Sequence, residues 1–159
     1  MAEIAVIDSD KRRIDIETLR EHLDGYSVDR IALSHGNINA PIDPSHDLSS
    51  YRALYVRVGE VTAEVLDRAA NLEIVATCGS GYDHVDVDAA TERGVIVAHT
   101  PNAPAPGAVE QTFGFIFTLL CQFPMMFERT TSGGWAEGQT VVQELSNRTI
   151  GVVGLGTIG

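Results

Sequence analysis

Four short apolar runs and one stretch that alternates apolar and polar residues (28–33), separated by helix-patterned stretches, constrain this chain more than any other feature of its sequence. Residues 3–7, 28–33, 53–58, 73–77 and 95–98 each read as a short strand. Between them, Ile16, Leu19 and Leu23 recur at helical spacing before Gly25. Thr62 is placed to cap a helix running through Val65, Leu66 and Ala69. A third helix is expected over 86–93, with aspartates near its start and Gly94 after its end. Residues 34–50 carry Gly, Asn, Pro and Ser and read as loop. Strands and helices alternating at such short intervals predict an α/β fold, a parallel sheet covered on both faces.

A boundary follows. Residues 99–107 hold three prolines in nine positions and read as an irregular linker. The next stretch, 108–121, is a long helix with one apolar stripe at Val109, Phe113, Ile116, Phe117 and Leu120. Ala108, Thr112, Phe115 and Leu119 form a second stripe. A helix apolar on nearly all sides must be buried, against another domain or another subunit. Gly133, Gly134 and Trp135 fall in a loop beyond it. Residues 149–153 read as a strand leading into Gly154-Leu155-Gly156-Thr157-Ile158-Gly159. A GxGxxG directly after an apolar strand has the context of a dinucleotide-binding turn. Its glycines would allow a tight turn, close approach of backbone to a pyrophosphate, and helix-on-strand packing. No helix follows Gly159 in these 159 residues, and no acidic ribose-binding residue lies about 20 positions on.

Charge and composition exclude several classes. Asp and Glu number 22 against 11 Lys and Arg, for a net charge of -11. Binding of nucleic acid or an anionic membrane through a basic patch is not expected. Lys11 is the only lysine. Such a surface suits a high-salt cytoplasm, and GC-rich coding gives the same bias without salt adaptation. Cys78 and Cys121 form no CxxC pair, so a reducing cytoplasm is the default. The N-terminal residues do not have the pattern of a signal peptide. The most apolar run, 113–121, is far shorter than the roughly 20 residues that span a bilayer.

The turn 78–84, Cys-Gly-Ser-Gly-Tyr-Asp-His, lies at the carboxyl end of the fourth strand, where ligands of such sheets bind. Its small residues leave backbone N–H groups able to face an anion. The same glycines also suit a tight strand-to-helix turn with no ligand. His22, His35, His46, His84 and His99 show no metal spacing and read as surface or loop histidines. Cys78, without an evident base, reads as a small hydrophobe. Asp83, Asp86 and Asp88 read as helix-start chemistry, and no metal is expected. A phosphorylation receiver would need an aspartate after the third strand and a lysine after the fifth. The chain has Arg57-Val58-Gly59 and His99-Thr100-Pro101 there.

Read in order, the pieces LEIVATCGSGYDHVDVDAATERGVIVAHTPNA (72–103), AVEQTFGFIFTLL (108–120), GGW (133–135) and ELSNRTIGVVGLGTIG (144–159) resemble the D-isomer-specific 2-hydroxyacid dehydrogenases. The resemblance covers essentially the whole chain. It implies a flavodoxin-like substrate domain over 1–99. Residues 100–159 would then hold a linker, a long interface helix, and the first strand and glycine turn of a Rossmann coenzyme domain. It implies that Gly79, Ser80 and Gly81 hold the substrate carboxylate through backbone amides. Gly154, Gly156, Thr157, Ile158 and Gly159 would form the pyrophosphate turn for NAD or NADP. Helix 108–121 and Trp135 resemble parts of a homodimer interface.

The family's catalytic Arg, Glu and His lie past the coenzyme fingerprint, so no catalytic residue is assigned among these 159. The chain alone is expected to be inactive and to bind NAD(P) poorly. The parent activity implied is hydride transfer between a nicotinamide and a small 2-hydroxy or 2-keto acid. The alternative is a non-catalytic module that binds a small acid or dimerises.

Overall fold

The computed structural model describes residues 3–34, 36–135 and 141–159. It contains two compact units, 1–103 and 104–159.

The first unit is built on a five-stranded sheet of β1 (Ile4–Ser9), β2 (Val28–Leu33), β3 (Ala53–Val56), β4 (Ile74–Thr77) and β5 (Ile96–Ala98). All pairings are parallel and the spatial order is β2-β1-β3-β4-β5. This is the flavodoxin-like arrangement. Every residue of β1 is buried, because the strand has a neighbour on each edge and apolar layers on both faces.

One layer gathers Ala5, Ile7, Leu54, Val56 and Val75 under α2 (Ala63–Arg68) and α3 (Val87–Glu92). The other gathers Ile4, Val6 and Val28 under Ile16, Leu19 and Leu23 of α1 (Ile16–His22) and its flank. The alternation expected from the sequence is present, with helices on both faces. Each helix is short and depends on its cap. The Asp15 carboxylate accepts from the N–H groups of Glu17 and Thr18, Thr62 Oγ1 accepts from Val65, and Asp86 accepts from Ala89.

At the end of β1 the buried Asp8 accepts from Arg30 Nε at 2.7 Å and from the Ile14 N–H at 2.8 Å. Both carboxylate oxygens are thus engaged, which is the condition for burying a charge. The same bond from Asp8 raises the Arg30 guanidinium above its ordinary value.

Three features of the second unit differ from the sequence reading. The helix α4 spans Ala105–Leu120 and so begins inside the proline-rich stretch. Pro106 lies in its first turn, where a missing N–H costs no hydrogen bond. A further helix, α5 (Phe123–Thr131), follows after Gln122, which adopts a left-handed conformation (φ 51°) and breaks the two helices apart. Residues 149–153 form no strand. An isolated extended segment has no lateral partner for its N–H and C=O groups, and Ile150, Val152 and Val153 stand in solvent. The stripes expected along α4 carry their large side chains in the open in the single chain. Phe113, Phe115, Phe117 and Leu119 are all exposed. Among the described residues, no helix is long and apolar enough to cross a membrane.

Two predictions concern the core. Gly59 has φ 106°, and a Cβ there would lie 2.9 Å from Leu33 Cδ1 and 3.3 Å from Ile42 Cγ1. Gly59→Ala combines backbone strain with overpacking, and urea denaturation should show a loss of roughly 2–4 kcal/mol. Asp8→Ala leaves Arg30 and the Ile14 amide without their shared acceptor. Its cost in the same measurement should be about 2–4 kcal/mol, with Asp8→Asn losing less.

Candidate functional site

The turn after β4 is where the sequence placed its candidate substrate residues. Its backbone is held by neighbours on both sides. Cys78 N–H donates to Val56 O at 2.9 Å, extending the β3–β4 ladder by one bond. Arg57, just past β3, donates from Nη1 to Cys78 O at 2.8 Å. The Thr100 N–H donates to Gly79 O at 2.8 Å. His99 Nδ1 lies 2.9 Å from Ser80 O, and since a carbonyl only accepts, Nδ1 carries the proton. The His99 ring also meets the Tyr82 ring edge-on, with centroids 5.1 Å apart. Thus three successive carbonyls, of Cys78, Gly79 and Ser80, each have a designated donor.

The amides are divided. Gly79 N–H is already engaged, by Thr77 O and Thr100 Oγ1, both at 3.1 Å. Among the described residues, the N–H groups of Ser80 and Gly81 have no protein partner, and both residues are exposed. Gly79 adopts φ 146°, a conformation that side-chain-bearing residues rarely reach, so its glycine is a backbone requirement. Of the three residues proposed to hold an acid, Gly79 therefore shapes the turn, while Ser80 and Gly81 present the donors.

Two charges flank the turn. Arg57 Nη1 lies 4.0 Å from where a Gly79 Cβ would stand, and the Asp83 Oδ2 lies 3.3 Å from the corresponding point on Gly81. Arg57 favours an anion here and Asp83 opposes one. The sequence reading gave Arg57 no role. The signal was present, since a basic residue ending the third parallel strand lies beside the turn ending the fourth, and strand order supplies that adjacency.

Other residues singled out in the sequence fall as follows. His84 is buried rather than on the surface, with 7% of its area exposed, and among the described residues its Nε2 has no partner. It sits one residue before Val85, which enters the core, and its carbonyl accepts from Val61 N–H. Burial lowers its pKa, and the charge of Asp83 partly opposes that shift. Burial first, and the neighbouring Cys78 thiol second, push the Tyr55 hydroxyl up to about 12. Among the described residues, no three His, Cys, Asp or Glu side chains converge on a possible metal position. His35 lies outside the described residues.

Gly154, Gly156, Thr157, Ile158 and Gly159 lie in the second unit as an exposed turn. It curls tightly, so that a Cβ on Gly159 would meet the Gly154 carbonyl. Among the described residues, 149–153 before it form no strand. The described residues therefore do not build a pyrophosphate cradle, and no chemical step is assigned through a nicotinamide on them.

A parallel sheet of order β2-β1-β3-β4-β5 with helices on both faces defines an α/β domain of the flavodoxin-like kind. A family model described as "D-isomer specific 2-hydroxyacid dehydrogenase, catalytic domain" matches residues 5–151. The chain belongs to that family. The D-3-phosphoglycerate dehydrogenase of Homo sapiens is 38% identical over 114 residues, which cover 71% of this chain and 21% of the relative. That of Bacillus subtilis is 36% identical over 118 residues, covering 74% and 22%.

Among solved structures, a glyoxylate/hydroxypyruvate reductase from Sinorhizobium meliloti in complex with NADP and malonate superposes with a TM-score of 0.72. It is 26% identical, and the match covers 99% of this chain and 48% of that one. The D-lactate dehydrogenase of Aquifex aeolicus, complexed with NAD and lactic acid, gives a TM-score of 0.75 at 27% identity, covering 97% and 45%. The chain spans about a fifth of the length of the curated relatives and about half that of the solved structures.

The neutral imidazole of His84 is the form the fold prefers. The stability it provides is complete above the ordinary histidine value of about 6.5 and drains away as pH falls through the lowered folded value. Urea midpoints should therefore fall between pH 7 and pH 5, and His84→Leu should flatten that limb.

Proposed function

We propose that this chain is the N-terminal, substrate-holding portion of an NAD(P)-dependent D-2-hydroxyacid dehydrogenase. Its 79–81 turn would take the carboxylate of a small 2-hydroxy or 2-keto acid. The observation that carries this reading is the pair of unpartnered, exposed amides at Ser80 and Gly81, set in a turn whose carbonyls are held by other donors. Fixed amides can bind a carboxylate with no added basic charge, and Arg57 adds attraction at the edge. Among family relatives, one was solved with malonate and another with lactic acid, both small carboxylic acids. Both also held a nicotinamide nucleotide, which supports NAD or NADP as the coenzyme of the parent enzyme.

On this reading the 159-residue chain binds the acid but does not transfer hydride, because the Arg, Glu and His that the family resemblance implies for the chemistry are not among these residues. Incubation with NADH or NADPH and glyoxylate, hydroxypyruvate or pyruvate should give no turnover above background. Turnover would overturn this part of the proposal. Arg57→Gln should weaken malonate binding about tenfold, on the scale of a hydrogen bond to a charged group. Asp83→Asn should tighten it. Both are read by isothermal titration or NMR titration.

A second reading is a non-catalytic module that dimerises. It is favoured by the exposed Phe113, Phe115, Phe117 and Leu119 of α4 and by Trp135. Light scattering decides it, with a monodisperse monomer counting against a homodimer through 108–121.

A further inference from the structure

His99 is the donor for the carbonyl that precedes the Gly81 amide. A peptide plane carries the C=O of one residue and the N–H of the next in fixed opposition. Pinning Ser80 O therefore aims the Gly81 N–H. By the same logic, Thr100 pins Gly79 O and aims the Ser80 N–H. Both free donors of the turn are thus oriented by two consecutive residues of the segment leaving β5. Without those bonds, Ser80 and Gly81 are exposed residues in a short turn, and their peptide planes are free to rotate. The edge contact of the His99 ring with Tyr82 restricts the imidazole as well.

Resting on the carboxylate-site reading above, we propose that His99 is a positioning residue for that site. Its Nδ1–H holds the Ser80–Gly81 peptide so that the Gly81 amide faces the acid. The role requires a neutral or charged donor at this position and nothing else of the imidazole. Asparagine can supply such a donor from its side-chain amide; alanine cannot.

The test uses the full 159-residue chain, labelled with ¹⁵N and titrated with malonate, with the uncharged malonamide as control. In the unmodified protein the Ser80 and Gly81 amide resonances should move saturably with malonate and stay still with malonamide. His99→Ala should weaken malonate binding about fivefold or more, the worth of one net hydrogen bond. The thermal midpoint and the resonances of β1 to β4 should be unchanged. His99→Asn should recover most of the affinity. If the unmodified protein binds and His99→Ala binds equally well, the positioning role is wrong and the carboxylate site stands. If His99→Asn is as weak as His99→Ala, the donor argument is wrong. If the unmodified protein shows no malonate response at Ser80 and Gly81, the carboxylate reading falls and this role falls with it.

Discussion

A parallel strand can fix the loop at its end only if it is itself fixed on both edges. β4 is held by β3 on one side and β5 on the other. The β3 ladder runs to Thr77 and the β5 ladder to Ala76, and the Cys78 amide adds one more bond to β3 before the backbone turns. The candidate site inherits its geometry from this lateral bonding. Arg57 continues from β3, Thr100 and His99 continue from β5, and the turn from β4 lies between them. Each neighbouring strand therefore delivers its own donor to a carbonyl of the turn. The packing beneath serves the same end, because Val75 and Thr77 are buried and give β4 no freedom to slide.

Much of the first unit was legible in the sequence. Four of the strands are apolar runs and the edge strand β2 alternates, and all five were bounded to within two residues at each end. Their helices carried a recognisable cap at Thr62 and aspartates at the start of the third. What was not legible was contact between distant residues. The burial of His84 could not be read from its neighbours, since Asp83 and Asp86 suggested a solvated loop. Its burial comes from Val61 and Val85, which draw that stretch into the core. The place of Arg57 beside Gly79 likewise required the strand order. The three glycine-turn residues were identified as a group, but only the hydrogen bonds separate Gly79 from the two that offer free amides.

The second unit was read less well, for a consistent physical reason. A local pattern predicts an element only when something exists for that element to pack against or pair with. Residues 149–153 have the composition of a buried strand and no neighbouring strand to complete it. The 108–121 pattern did form a helix, because a helix satisfies its own backbone. Proline at 106 was read as a breaker, whereas the first helical turn tolerates it. The α5 helix was missed because Gln122 and Pro124 interrupt the pattern just where the second helix starts.

The exposed aromatic side chains of α4 have a thermodynamic consequence. Heat capacity rises on unfolding in proportion to apolar surface newly brought into water. Phe113, Phe115, Phe117 and Leu119 are already hydrated in the native chain, as are Phe127 and Trp135. They add little to that increment or to the sensitivity to denaturant, which scales with the same newly wetted area. In a monomer, the curvature of the melting transition per residue is therefore set more by the layered sheet before Pro104 than by residues 104–159.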